Sequence, residues 1–286
     1  MQVVRFDVLL SLSLGTDTFD LTTRALVMGI LNRTLDSFYP PAATYDLDAF
    51  FIRAEQLVRE GADLLDVGGV KAGPGAAVSE SEELDRVVGV VSELRRRFDL
   101  PISIDTWRAS VAAACFEAGA SLGNDISGFG DPDYLAVAAR ARASVVATHI
   151  RLRPRVADPN PHYDNVSETV RDFLLERRQR AMDAGITSDR ILLDAGLDLG
   201  KSAAQSLQLL RDSSSLASLG SPLLLSASNK TFLGVMFNRA VGARQEPTLG
   251  ATALGIAGGC RIVRVHDVEP AVRVRDTMAR LLEVGG

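Results

Sequence analysis

The chain alternates between two patterns of apolar and polar positions. Short, nearly continuous apolar runs rich in β-branched residues are each followed by a longer stretch in which apolar residues recur at helical spacing. The short runs predict strands over 25–31, 63–67, 101–105, 121–126, 144–150, 190–194, 222–226 and 261–266. Strands covered on both faces have this continuous apolar character. The intervening stretches predict helices over 47–60, 79–98, 108–118, 133–142, 166–184, 203–217, a Gly/Ala-rich 247–257, and 270–284. Ser79 and Glu82 have capping-box spacing, and Gly61, Gly119 and Gly185 stand where helices should stop. Parallel strands joined by helices form either an open doubly wound sheet or a closed barrel. Eight units in 286 residues favour an α/β fold of the (β/α)8 TIM-barrel type. No linker, low-complexity tract or shift in composition divides them, which predicts one domain over 1–286. The apolar segment 8–14 predicts a short N-terminal strand or hairpin extension. Arg5 and Asp7 precede it and no clear cleavage pattern follows, unlike a signal peptide. The segment 151–165 carries Pro154, Pro159 and Pro161 and predicts a long, exposed and mobile connection after the fifth strand.

Almost every predicted strand ends in a polar residue with no packing reason to be there. In order these are Asn32, Asp66, Asp105, Asn124 with Asp125, His149, Asp194, Ser226 with Ser228, and Arg264 with His266. In a closed barrel these ends meet at one mouth, where barrel enzymes place their sites. Singly, each has a plainer reading. Asp66 or Asp125 could cap the next helix, His149 could be a satisfied core histidine, and Asn32 could serve a turn. Capping alone does not put an Arg and a His two apart on one strand face, so Arg264 and His266 read as a pair of cations at an anion site.

Composition narrows the classes. The chain is 47% hydrophobic and 23% charged, enough apolar material to exclude disorder. Two distant cysteines, Cys115 and Cys260, make neither a disulfide framework nor a zinc ribbon, and three histidines make a His-rich metal site unexpected. The formal charge of −5 gives no electrostatic reason to bind nucleic acid. No apolar run reaches the roughly 20 residues of a membrane span. The expectation is a cytoplasmic, reducing setting with neither nucleic acid nor membrane as partner. Two Gly-rich loops follow strands, one from Gly68 to Gly75 and one from Gly196 to Ser202. The second narrowly misses a phosphate loop, since Ala195 stands where its first Gly would be.

Taken together the strand-end segments resemble the dihydropteroate synthase family. The segments that carry the likeness are Met28-Gly29-Ile30-Leu31-Asn32-Arg33-Thr34-Leu35-Asp36-Ser37-Phe38, Gly61-Ala62-Asp63-Leu64-Leu65-Asp66-Val67-Gly68-Gly69, Ile102-Ser103-Ile104-Asp105-Thr106, Asn124-Asp125-Ile126, Asp194 through Lys201, Ser228-Asn229-Lys230 and Arg264-Val265-His266-Asp267. The resemblance implies a transferase that joins 6-hydroxymethyl-7,8-dihydropterin diphosphate to p-aminobenzoate, or another small nucleophile, and releases diphosphate. It implies that Asp105, Asn124, Asp194 and Lys230 hold the pterin, and that Asn32, Arg264 and His266 hold the diphosphate with Mg2+. Asn32 would be the metal ligand, and Asn32, Lys230, Arg264 and His266 the catalytic set. Thr34, Phe38, Lys71 and Ser228 complete the implied substrate-binding residues. A homodimer through helices of the C-terminal half is also implied.

The chain departs from that family's pattern at the walls of the implied site. Arg33 and Leu35 replace a small residue and a Pro, and Val70-Lys71-Ala72-Gly73-Pro74-Gly75 replaces a Glu-Ser-Thr-Arg-Pro-Gly run. Ala195, Leu197, Asp198 and Leu199 replace Pro, Phe, Gly and Phe, Thr148 replaces a Met, and Asn229 replaces an Arg. A stacked Arg contributes about 0.5–2 kcal/mol, which Asn does not supply. These departures resemble the second dihydropteroate synthase homologue of actinobacteria, a branch with little or no folate-pathway activity. The alternatives are therefore a divergent homologue that binds a pterin-like ligand or serves another pathway, and a pterin-binding domain of a methyltransferase. Arg264 and His266 argue against the last, because a ligand without diphosphate has no evident use for them.

Overall fold

The strand–helix units close on themselves in the computed structural model, which describes residue 4, residues 9–33 and residues 47–283. The barrel strands are β3 (Leu26–Asn32), β4 (Leu64–Gly68), β5 (Ile102–Asp105), β6 (Leu122–Asp125), β7 (Ser144–Thr148), β8 (Ile191–Asp194), β9 (Leu223–Leu225) and β10 (Cys260–Val265). All pair in parallel in chain order, and β10 returns to β3 to close the barrel. Ahead of them β1 (Ser11–Leu14) and β2 (Asp17–Asp20) form an antiparallel hairpin. Every predicted strand is present within two residues at each end.

The helices among the described residues are α1 (Leu47–Arg59), α2 (Glu80–Arg97), α3 (Ala109–Glu117), α4 (Tyr134–Ala141), α5 (Val166–Asp183), α6 (Ala203–Arg211), α7 (Ser213–Ala217), α8 (Thr231–Phe237), α9 (Gln245–Ala257) and α10 (Val268–Glu283). Gly61, Gly119 and Gly185 end α1, α3 and α5 with φ of +95°, +110° and +91°, a region that favours glycine. Ser79 caps α2 by accepting from Glu82 N, but the Glu82 side chain turns to Arg86 and not back to the cap. Two helices differ from expectation. The stretch 203–217 breaks at Asp212, whose carboxylate accepts the Ser167 hydroxyl at 2.5 Å. The seven residues of α8 carry too little polar alternation to be told from loop by periodicity.

Alternation along the strands separates two environments. One face of each strand packs against the helices, with Val27, Leu65, Ile104, Val145, Leu193, Leu225 and Val263 among its buried residues. The other face fills the barrel. In its lower half Leu26, Met28, Leu64, Leu122, Val146, Leu192, Leu224 and Ile262 form one apolar cluster with Leu12, Leu14 and Leu21 of the hairpin segment. The hairpin thus closes the barrel floor. Arg190 donates to Gly15 O at 2.9 Å, and the Ser13 hydroxyl donates to Asp189 at 2.5 Å. One step up the same interior rows, at i+2, the residues become Asp66, Asn124, Thr148, Asp194, Ser226 and Arg264.

The connection 151–165 is exposed as expected, but it is tied on both sides rather than free. Arg155 donates from its backbone to Ala72 O at 3.1 Å and from its guanidinium to Lys71 O at 2.9 Å and to Ala76 O. Tyr163 donates to Gly200 O at 2.8 Å. The segment therefore bridges the β4–α2 and β8–α6 loops.

A candidate ligand site at the barrel mouth

Strand register sets the site. Asn32 pairs with Gly68, Gly68 with Asp105, and Asp105 with Asn124, so one level of the mouth carries three polar side chains and a glycine. A Cβ on Gly68 would lie 3.2 Å from Asn32 Oδ1 and 3.5 Å from Asp105 Cβ, so the missing side chain is what lets those groups converge. Arg264 starts two interior positions below Asn32, opposite Met28, and its long side chain climbs. Its Nε donates to Asp66 Oδ2 at 2.6 Å and its Nη2 to Asp105 Oδ2 at 2.8 Å. Asp66, fully buried, also accepts the Ser103 hydroxyl at 2.6 Å and Asn124 Nδ2 at 3.3 and 3.4 Å. Asp66 is thus the fixed centre that aims Arg264 and Asn124. Burial pushes the Asp105 carboxyl up to about 7, against the pull of Arg264 and with a smaller push from Asp66. Burial alone would lower the Arg264 guanidinium, but Asp66 and Asp105 outweigh it and hold it fully charged.

Across the mouth, Asp194 accepts the Gly196 amide at 2.7 Å. Burial raises its carboxyl, while Lys230 and that amide draw it back. Lys230 precedes α8 and donates to Leu197 O at 2.6 Å. Burial lowers its ammonium, opposed by Asp194 and Asp198. The β8–α6 loop that supplies Leu197 is held from beneath by Lys201. Its Nζ lies 2.8 Å from Gly196 O, 3.1 Å from Leu199 O and 2.9 Å from His149 Nδ1. From the same loop Asp198 accepts the amides of Thr231 at 2.5 Å and Phe232 at 3.2 Å, tying it to the start of α8.

The two histidines behave differently from the sequence expectation. Burial pulls His266 down to about 4, with Arg264 adding to the effect, so it is neutral near pH 7 and the expected pair of cations is one cation beside a neutral ring. Ser228 Oγ accepts from His266 N at 3.2 Å and lies 2.9 Å from His266 Nδ1. His149 is buried against Phe173 and drawn down to about 3 by burial and Lys201. It is a satisfied core histidine. The capping reading fails for both strand-end acids: Asp125 accepts the amides of Ser127 and Phe129 in the turn after β6, well before α4 begins at Tyr134, and Asp66 bonds no helix amide among the described residues.

The structure therefore gathers Asn32, Asp105, Asn124, Asp194, Ser228, Lys230, Arg264 and His266 at one end of the barrel. Lys71 rides outside on the β4–α2 loop, where Arg155 holds its carbonyl. Thr34 and Phe38 lie outside the described residues. Asp66 and Lys201 shape the site although neither is among the residues the resemblance implies. An acid inside the otherwise apolar run Leu64-Leu65-Asp66-Val67, two residues before Gly68 on the same strand face, was the available signal.

Residues 28–266 match the family model described as pterin binding enzyme. The chain belongs to the dihydropteroate synthase family. It is 39% identical to the dihydropteroate synthase of Synechocystis over 92% of each chain. It is 42% identical to the protein named inactive dihydropteroate synthase 2 of Mycobacterium leprae, over 90% of this chain and 91% of that one. The crystal structure of Yersinia pestis dihydropteroate synthase with a sulfonamide drug complex superposes with a TM-score of 0.91 at 35% identity, covering 96% of this chain and 99% of that one. The chain is thus similar both to a relative named dihydropteroate synthase and to one named inactive dihydropteroate synthase 2.

Proposed function

We propose that the chain is a single pterin-binding domain that binds 6-hydroxymethyl-7,8-dihydropterin diphosphate and passes its pterin-methyl group to an amine such as p-aminobenzoate. The observation that carries this is the placing of Asp194 and Lys230 near enough for each to shift the other's charge without a direct ion pair among the described residues. Among the described residues each is held in place by one backbone group, so each keeps its remaining bonding capacity for a ligand. A pterin edge presents an amino group and a ring N–H beside a carbonyl oxygen. Asp194 takes the two hydrogens and Lys230 donates to the oxygen, as short charge-assisted bonds. Asp105 and Asn124, each bonded on one side to Arg264 and Asp66, line the mouth beside them, and a ligand lacking those polar atoms leaves their remaining bonding capacity unused.

Arg264 and His266 then face the diphosphate arm, with Asn32 beside them. The C–O bond to diphosphate breaks as the C–N bond to the amine forms, and the amine proton leaves to solvent. Holding the leaving charge is the main task, because an aromatic amine needs little activation at neutral pH. Among the described residues no group of three or more His, Cys, Asp or Glu is placed to hold a metal. The single neutral oxygen of Asn32 fits an ion that keeps its waters and arrives on the phosphates, as Mg2+ does, and not a resident ion. There Mg2+ would supply charge neutralisation on the departing diphosphate. Calorimetry with the pterin diphosphate and Mg2+, followed by a diphosphate-release assay with p-aminobenzoate, tests the reading. Wild type binds and turns over, and Asp194→Ala loses at least about 100-fold in affinity. Wild type indistinguishable from buffer in both measurements sinks it.

A second reading, a pterin-binding homologue with little or no activity toward p-aminobenzoate, is favoured by two contacts. Arg155 clasps the altered β4–α2 loop, and Asp198 fills the amides that open α8 beside Lys230. Both leave the mouth less able to admit a carboxylated amine. Growth of a folate-synthase-deficient strain on this gene alone would exclude it.

The proposed assembly is a homodimer through the C-terminal half. A groove of about 910 Å³ between α6, α8 and α9 is lined by Leu207, Leu210, Leu233 and Phe237, and Val235, Met236 and Phe237 stand exposed. An apolar patch of this kind marks a contact surface. Phe237→Asp should yield a monomer by light scattering. The proposed location is the cytoplasm. No helix among the described residues is long and apolar enough to cross a membrane, and Cys115 and Cys260 are free buried thiols.

A further inference from the structure

One buried polar group at the mouth has no protein partner. The Thr148 side chain is 1% exposed, and its hydroxyl makes no hydrogen bond among the described residues. Its position is set by β7. Val146, two residues earlier, lies in the apolar cluster that fills the barrel, so Thr148 faces the barrel interior one layer higher. It pairs across the ladder with Asp194, which puts the two side chains at one level on neighbouring strands. On the other side, Asn124 of β6 pairs with Val146, one interior position below Thr148, and has its amide nitrogen turned to Asp66. A hydroxyl shut away from water without a partner costs stability, and a dry apolar residue of the same shape would avoid that cost. Other buried side chains without a partner do not share this setting. Tyr134, for example, packs on α4 with its hydroxyl against Gly123, outside the barrel.

We propose that Thr148 is a ligand-recognition residue whose hydroxyl bonds the same edge of the heterocycle that Asp194 grips. The inference rests on the pterin reading above and adds a specificity-determining contact to it. A hydroxyl can donate or accept, and the pterin edge offers an amino hydrogen and ring nitrogens within the plane that Asp194 defines. The contact forms only when a polar ring edge is present. An apolar or wrongly oriented ring leaves the hydroxyl unpaired and is disfavoured.

The test is Thr148→Val, which keeps the volume and removes the hydroxyl, beside Thr148→Ser, which keeps the hydroxyl. Affinity for 6-hydroxymethyl-7,8-dihydropterin diphosphate is measured by calorimetry, and folding by the thermal midpoint. The expected result is a Thr148→Val protein that melts at or above the wild-type temperature yet binds about five- to tenfold more weakly, with Thr148→Ser within about twofold of wild type. Thr148→Val binding within twofold of wild type would overturn the proposal, as would Thr148→Ser losing as much as Thr148→Val. A Thr148→Val midpoint several degrees below wild type would also overturn it, by revealing a protein partner for the hydroxyl. Absence of binding by wild type itself defeats the pterin reading first, and the Thr148 contact with it.

Discussion

The floor and the mouth of this barrel are built from the same eight strands, two residues apart, and they are opposite in kind. At the floor the interior rows of seven strands carry large apolar side chains, the polar Ser144 is matched by the Ser13 carbonyl, and the hairpin seals the opening. At the mouth the same rows carry Asp66, Asn124, Thr148, Asp194 and Arg264, with charges bonded on one side and open on the other. The comparison teaches where stability and recognition are kept. Apolar packing below lets the mouth hold buried charge that would by itself be costly.

The largest break in this division should come at Asp66, which belongs to both regions. Asp66→Ala leaves Arg264 without its central partner inside the barrel and should cost about 3–5 kcal/mol of stability by denaturant unfolding, together with pterin binding. Leu14→Ala removes a floor residue that is 1% exposed, and should cost about 2–5 kcal/mol while leaving ligand affinity of the folded protein unchanged. A parallel loss of affinity in Leu14→Ala would show that floor and mouth are not separate.

The third test is pH. Burial draws the Lys201 ammonium down from 10.5 to about 7. The unfolded chain therefore holds a proton there that the folded chain gives up. The stabilising contribution is complete above 10.5 and is lost as pH falls through 7. The thermal midpoint of wild type should rise between pH 7 and pH 9 relative to Lys201→Met, by a few degrees, equivalent to about 1–2 kcal/mol. The two buried thiols, both pushed up to about 12 by burial, oppose this trend only above their ordinary 9.0. The smallest expected effect is Arg155→Ala. It frees an exposed loop at a cost below about 1 kcal/mol, and faster protease cutting within 70–76 is the measurement that reports it.

Much of this was legible in the sequence because period and polarity act locally. The strands show as apolar runs, and Asn32, Asp105, Asn124, Asp194, Arg264 and His266 stand out because each interrupts such a run at its end. What was not legible depends on reach and on charge environment. The sequence places Arg264 and His266 on one face, but only the fold shows that two carboxylates hold the first and that burial neutralises the second. Asp66 and Asp125 look alike at strand ends, and only their partners separate a turn-bonding carboxylate from the centre of a network. The bridge made by Arg155 joins positions roughly 80 residues apart through one guanidinium, which no local pattern encodes. Helix α8 was missed because seven mostly apolar residues carry no period to read.

The hairpin has a practical consequence. The barrel strands run from floor to mouth and the helices run back, so α10 finishes on the hairpin's side of the molecule, and Val4 bonds to Ala257 O at the end of α9 on that side too. Both ends of the described chain leave from the sealed side. Anchoring the protein to a sensor surface or to another polypeptide by either end should therefore present the open side to solution, with the anchor and the bound molecule on opposite poles.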